Sequence, residues 1–311
     1  MTWSTKDIPS QSGRVAVVTG ANGGLGLATA QALAAKGAHV VMAARNQTKA
    51  ALARDQILAA VPGASLELVE LDLGSLASVE KAASQIAQTH PRLDLLINNA
   101  GVMATPEGTT IDGFETQLGT NHLGHWALTS RLLPNVLRAP GSRIVTVSST
   151  AQHQGRPLNP ANPFLHGEYE PWRAYGNSKL ANRHFAVGLQ QRLTAAGVDT
   201  LSLAAHPGLT NSDLQATTVD NAGGGWRGPF FHKLTETLGM SVERGALSQL
   251  RAATDPRAKG GSMYGPLLGT NGPPVRKPLF RPGAEPAIAT LWEISMRETG
   301  LDVDVEAART A

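Results

Sequence analysis

Short runs of valine, isoleucine and leucine recur along this chain, each separated from the next by a longer Ala/Leu-rich stretch of helical period. No other feature constrains the fold as tightly. A strand buried on both faces reads as a continuous apolar run, and parallel neighbours can be joined only through a crossover long enough to hold a helix. The predicted strands are Val15–Thr19, His39–Ala43, Leu66–Leu71, Leu93–Ile97, Arg143–Ser148 and Thr200–Ala204, with a short last one around Met263 and Tyr264. Helical patterns begin near Leu25, Gln47, Leu76, Asp112, Tyr175, Val242 and Pro286. Right-handed crossovers then give an α/β fold, a doubly wound parallel sheet of about seven strands with helices on both faces. At 311 residues and 41% hydrophobic composition the chain has ample material for such a core. No repeat or composition shift marks a second domain, so residues 1–13 read as an N-terminal extension and 14–311 as one domain.

The first predicted strand runs into Thr19-Gly20-Ala21-Asn22-Gly23-Gly24-Leu25-Gly26 and then directly into a helical pattern. Glycines there let the backbone turn tightly and approach a pyrophosphate, whose charge the free N–H groups and positive end of the next helix hold. A glycine cluster alone is weak; its place between a buried strand and a helix is what a dinucleotide-binding fingerprint requires. Gly20, Asn22, Gly24, Leu25 and Gly26 are therefore candidate cofactor contacts. Where an NAD(H) site carries an acidic side chain for the ribose 2'-hydroxyl, at the end of the second strand, this chain has Ala44-Arg45. A guanidinium grips a 2'-phosphate that a carboxylate would repel, so NADP(H) is favoured over NAD(H). The plainer alternative is a solvated surface arginine. Asp72, with Leu73 beside it, follows the third strand and suits equally an adenine amino group or a helix cap. Asn98-Asn99-Ala100-Gly101 closes the fourth strand at the carboxyl edge, where open α/β sheets bind ligands.

Tyr175-Gly176-Asn177-Ser178-Lys179 sets a phenol and an ammonium on one face of a helix. A phenol titrating near 10 is a poor base at neutral pH; a neighbouring cation, joined by a positive nicotinamide, is expected to draw it toward the working range. Such pairs also occur by chance on helix surfaces. Ser149, at the end of the fifth strand, strengthens the reading because its hydroxyl can donate to a carbonyl on which negative charge develops. Asn121, in Thr120-Asn121-His122-Leu123-Gly124-His125, either holds a water that connects Lys179 to solvent or merely kinks its helix.

Taken in order, Thr19–Gly26, Asn98–Gly101, Asn121, Ser149, Tyr175 with Lys179, and His206-Pro207-Gly208 resemble the motif series of the short-chain dehydrogenase/reductase family, over essentially Gly13 to Leu301. The resemblance implies a Rossmann-like NADP-binding domain with Asn121, Ser149, Tyr175 and Lys179 as a catalytic tetrad. It further implies that Lys179 binds the nicotinamide ribose, and that Pro207, Gly208 and Thr210 or Ser212 approach the nicotinamide. Asn121–His125, the long spacer from Ser149 to Tyr175, and Ser178-Lys179-Leu180-Ala181-Asn182 look like the retinol-dehydrogenase and protochlorophyllide-reductase-like branch, which mostly uses NADP(H). Relatives commonly pair through the helices that carry Asn121 and Tyr175, which implies a homodimer or homotetramer.

The expected activity is NADP(H)-dependent hydride transfer between nicotinamide and a carbonyl or alcohol of a partly hydrophobic small molecule. Reduction of an activated C=C bond and a non-catalytic NADPH sensor are the alternatives. Residues 209–240, with Trp226, Phe230, Phe231 and Leu234 among glycines, read either as an apolar substrate lid or as a loop pinned by its aromatics. The net charge of +3 is spread without a basic run, so no nucleic-acid partner is expected. The start of the chain has no signal-peptide character and no apolar run reaches the about 20 residues of a membrane helix, so a cytoplasmic protein without a membrane anchor is expected. There is no cysteine, and His153, His166, His206 and His232 follow no zinc spacing, so no metal site is predicted. The absence of a G-x-S-x-G elbow argues against hydrolysis at Ser149.

Overall fold

The computed structural model of the protein describes residues 2–210, 239–278 and 284–310. Its strands are β1 (Val15–Thr19), β2 (His39–Ala44), β3 (Ser65–Glu70), β4 (Leu95–Asn98), β5 (Arg143–Val147), β6 (Leu201–Ala205), β7 (Met263–Pro266) and β8 (Pro274–Lys277). They form one eight-stranded sheet in the order β3-β2-β1-β4-β5-β6-β7-β8, parallel throughout except for β8, which returns antiparallel to β7.

The helices are α1 (Gly24–Ala34), α2 (Gln47–Ala60), α3 (Leu76–Thr89), the single turn α4 (Thr116–Leu118), α5 (Gly124–Leu137), α6 (Pro171–Ala195), α7 (Val242–Thr254), α8 (Ala284–Thr299) and α9 (Val305–Thr310). A π-turn, Gly119–Leu123, joins α4 to α5. Strand residues alternate between two cores as the pleat demands. Val17, Val41, Val69, Leu96 and Ile144 face a core shared with α3, α5, α6 and α8. Val18, Val40, Met42, Leu95, Ile97 and Leu203 face one shared with α1, α2 and α7. The extension is not a free arm, because Trp3 and Ile8 are buried in this second core.

Two helix starts differ from the sequence expectation. The helix expected from Asp112 begins at Thr116, where the Glu115 carboxylate accepts from Gln117 N and Leu118 N at 2.7 Å each. The helix expected from Tyr175 begins a turn earlier, at Pro171, where Glu170 caps it. Proline supplies no N–H and fits the first helical position, which sets Tyr175 inside the helix rather than at its frayed end.

Candidate active site

Strand order reverses between β1 and β4, so their crossovers leave on opposite sides and open a crevice at the carboxyl edge. There a cleft of about 500 Å³ is lined by the predicted Gly20, Asn22, Gly24, Leu25, Gly26, Arg45, Asp72, Leu73, Asn99, Ala100, Gly101, Tyr175, Lys179 and Pro207. Gly20 holds a left-handed φ of 67°. Gly26 is needed for close approach: a Cβ there would lie 2.1 Å from the Gly20 carbonyl oxygen. The N-cap of α1 is Gly23, which offers no side chain to the first amides, so these N–H groups face the cleft without an internal partner.

At the end of β2 the cleft wall holds Arg45 together with Asn46 and Lys49. Lys49 was not singled out in the sequence. Its signal is the spacing from Arg45, which brings both cations to the first turn of α2, where Asn46 Oδ1 accepts from Lys49 N at 2.9 Å. Asp72 does not cap α3. Ser75 does, and Asp72 Oδ1 accepts instead from Gly74 N at 2.9 Å.

A neutral hydrogen-bonded chain runs beneath the cleft floor. Burial takes the His125 imidazole down to about 4, so it is uncharged at neutral pH. The Asn121 carbonyl can only accept, so His125 Nδ1 donates to it across 3.0 Å. Nε2 then accepts from the Thr19 hydroxyl at 2.9 Å, and that oxygen in turn accepts from Asn99 N and Ala100 N, both at 2.9 Å. The chain locks the loop after β4 to the π-turn. The Asn121 side chain is held on three bonds: Nδ2 donates to Val102 O and Ser178 Oγ at 2.9 Å, and Oδ1 accepts from Val102 N at 2.7 Å. Oδ1 keeps one further acceptor position.

Tyr175, Lys179 and Ser149 converge. Tyr175 and Lys179 line the cleft, with Lys179 Nζ 5.8 Å from the phenol ring centre; Ser149, at the end of β5, favours the phenolate of Tyr175 but, like Asn121, is not among the cleft-lining residues. Lys179 Nζ also donates to Val147 O at 3.3 Å. In the protein alone the phenol lies above its ordinary value; the expected lowering belongs to the lysine and a positive nicotinamide together. Burial raises Tyr175 to about 12 against the opposing Ser149 hydrogen bond, and burial lowers Lys179 to about 8. Desolvation dominates both shifts, because each side chain is almost wholly buried.

Gly208 and Thr210 do not line the cleft. Gly208, with φ at 74°, packs where a Cβ would meet Thr270 O at 2.5 Å, and the Thr210 hydroxyl donates to Pro207 O at 3.1 Å. Ser212 and the aromatics of the predicted lid lie outside the described residues. The two ends of that segment are joined, Thr210 bridging Met240 in parallel register.

Residues 14–223 match the short chain dehydrogenase family profile. A short-chain dehydrogenase/reductase of Penicillium roqueforti is 35% identical over 308 residues, 94% of this chain and 87% of that protein. Retinol dehydrogenase 11 of Mus musculus is 44% identical over 204 residues, a match that spans 65% of this chain and 63% of the mouse protein. Among solved structures, an uncharacterised protein of Mycobacterium paratuberculosis superimposes with a TM-score of 0.79 at 38% identity, covering 97% of this chain and 99% of the other.

Proposed function

The chain belongs to the short-chain dehydrogenase family, retinol-dehydrogenase-like branch, whose members are NAD(P)-dependent oxidoreductases, and from that premise we propose that it uses NADP(H) to interconvert a carbonyl and an alcohol on a partly apolar small molecule. The observation that carries this reading is that Tyr175 and Lys179, with Nζ 5.8 Å from the phenol ring centre, line the same cleft as the glycine turn, with Ser149 at the end of β5 acting on the phenol.

The cofactor fits the residues present. The close approach of Gly26 to Gly20 and the uncapped start of α1 suit a pyrophosphate. Arg45 and Lys49, together on the cleft wall, suit a 2'-phosphate. When bound, the nicotinamide supplies or takes up the hydride. Ser149 donates a hydrogen bond to the substrate oxygen and holds it near the phenol. Tyr175 exchanges the proton at that oxygen. Lys179 keeps a positive charge beside the phenol, since at about 8 it is mostly protonated at pH 7. A phenol held up near 12 is protonated at rest and can donate to a substrate oxygen. His125 and Asn121 position the loop and helix on either side.

The apolar Val102, Met103 and Val147 on the cleft wall favour a substrate with hydrocarbon next to its oxygen. A relative named for retinol acts on such an alcohol by its name. The test is a panel of aldehydes, ketones and alcohols followed by nicotinamide absorbance, with Tyr175→Phe alongside. Turnover is expected to fall by about 10² to 10⁴-fold in the variant, while the NADPH dissociation constant stays within about threefold. Unchanged turnover would remove Tyr175 from the reaction.

A further inference from the structure

The rim of the sheet opposite the cleft carries a group of side chains that hydride transfer leaves unused. β2 and β3 begin there side by side, with His39 paired to Ser65, so His39, Ser65 and Glu67 share one face. His90, the C-cap of α3, comes down on the same face. Glu67 Oε2 lies 2.7 Å from His90 Nε2 and 3.6 Å from His39 Nε2, and the two imidazole rings are 5.0 Å apart. The three ligand atoms all lie within 4.8 Å of one another, the one group of this kind among the described residues.

Ion pairing accounts for Glu67 with His90 at 2.7 Å and only loosely for His39, which stands at 3.6 Å from the same oxygen and makes no hydrogen bond to it. Its Nδ1 is engaged with Ser65 Oγ at 2.7 Å, while Nε2 is buried, has no hydrogen-bond partner and faces the same carboxylate oxygen. With Nδ1 protonated and donating to Ser65 Oγ, Nε2 presents its lone pair, as in a metal-ligating histidine whose other ring nitrogen is fixed by an outer partner. Tetrahedral zinc, with bonds of about 2.0–2.2 Å, separates neighbouring ligand atoms by about 3.3 Å. The observed 2.7 and 3.6 Å bracket that spacing. Gln85 Nε2 approaches the free Glu67 Oε1 at 3.5 Å, a further outer contact.

We propose that His39, Glu67 and His90 bind one divalent transition-metal ion of the zinc class, with solvent completing its coordination. Two imidazoles and one carboxylate favour zinc over the hard, oxygen-seeking magnesium and calcium. The ion would tie the starts of β2 and β3 to the end of α3. It would sit at the amino edge of the sheet, away from Tyr175, so it braces the nucleotide-binding half and takes no part in turnover.

The full chain, stripped with EDTA and dialysed, is titrated calorimetrically with zinc chloride and separately with magnesium chloride, and bound metal is counted by mass spectrometry. One zinc per chain is expected at micromolar affinity or tighter, with no comparable magnesium binding and a melting temperature that rises with zinc concentration. His39→Gln and His90→Gln should each weaken zinc binding at least tenfold while leaving the NADPH dissociation constant unchanged, which also shows that they are folded. Zinc affinity unaltered in both variants, or no tighter than that for magnesium, overturns the proposal. Should His90→Gln fail to fold, His39→Gln decides alone, because its position at the head of β2 leaves the cap of α3 intact.

Discussion

Arg45 is the residue on which the proposed preference for NADP(H) rests, and its surroundings sharpen the expectation. It is exposed, so its charge is screened until a ligand covers it, yet it shares the cleft wall with Lys49 and with the start of α2. Removing one charge-assisted contact costs about 1.5–3 kcal/mol, so Arg45→Ala should weaken NADPH binding about 10- to 100-fold and leave NADH nearly unchanged. Fluorescence titration with both dinucleotides reads this directly; equal losses for the two would show that Arg45 does not distinguish them. At this scale the sequence disclosed what lies in contiguous motifs. Gly20 to Gly26 and Tyr175 with Lys179 are local, and each residue could be named before the fold was known. Lys49 escaped because it sits one helical turn beyond Arg45, outside any contiguous motif. His39, Glu67 and His90 were illegible for a deeper reason: only the β2–β3 register and the path of α3 bring them together. The raised phenol of Tyr175 was illegible as well, because desolvation is a property of burial and not of spacing.

Among the elements, the parallel strands were legible to within two residues at either end, since runs such as Val15–Val18 and Leu95–Ile97 are apolar on both faces. β8 was not. Its Pro-Val-Arg-Lys is short, polar and begins with proline, the composition of an antiparallel edge strand, which carries no continuous apolar signal. The start of α4 was misplaced because its cap is Glu115, a residue less usual at that position than the serine or asparagine that caps α3 and α2. That cap has a pH signature. Burial raises Glu115 to about 7, against the two backbone amides that hold it down. Its folded value exceeds the unfolded one, so the stability it contributes is whole below about 4.5 and is lost as pH climbs through 7. A gap of that size corresponds to about 3 kcal/mol. Glu115→Gln removes the charge and keeps one acceptor oxygen, so the loss of the second amide's partner is a cost that does not vary with pH. Urea unfolding should therefore show the variant gaining about 1–3 kcal/mol on the parent between pH 5 and pH 8. A constant difference across that range would mean that the carboxylate is solvated.

Over the whole molecule, the C-terminal helices change what the family resemblance implies about assembly. Pairing through the helices of Asn121 and Tyr175 needs an open α5–α6 face, and here the chain covers that face itself. Trp292 of α8 stacks on Phe185 at 5.7 Å, meets Trp126 edge-on at 5.0 Å and lies under the Arg192 guanidinium at 3.8 Å. Gly188 permits the approach, since a Cβ there would lie 2.5 Å from the indole. Hydrogen bonds extend the seam: Ser295 Oγ with His122 Nε2 at 2.9 Å, and Trp126 Nε1 donating to Leu301 O at 2.9 Å. Because His122 neighbours Asn121 on the π-turn, α8 also steadies the element that frames the cleft. Trp292→Ala should cost about 3–5 kcal/mol, as for other fully packed aromatics. It should also bare an apolar strip on α5 and α6, of the kind that drives self-association. Light scattering of the parent should therefore find no dimer that depends on this face, while the variant shifts to larger, concentration-dependent species with a lower melting temperature. A parent dimer abolished by surface substitutions on α5 would show instead that α8 yields its place to a second copy.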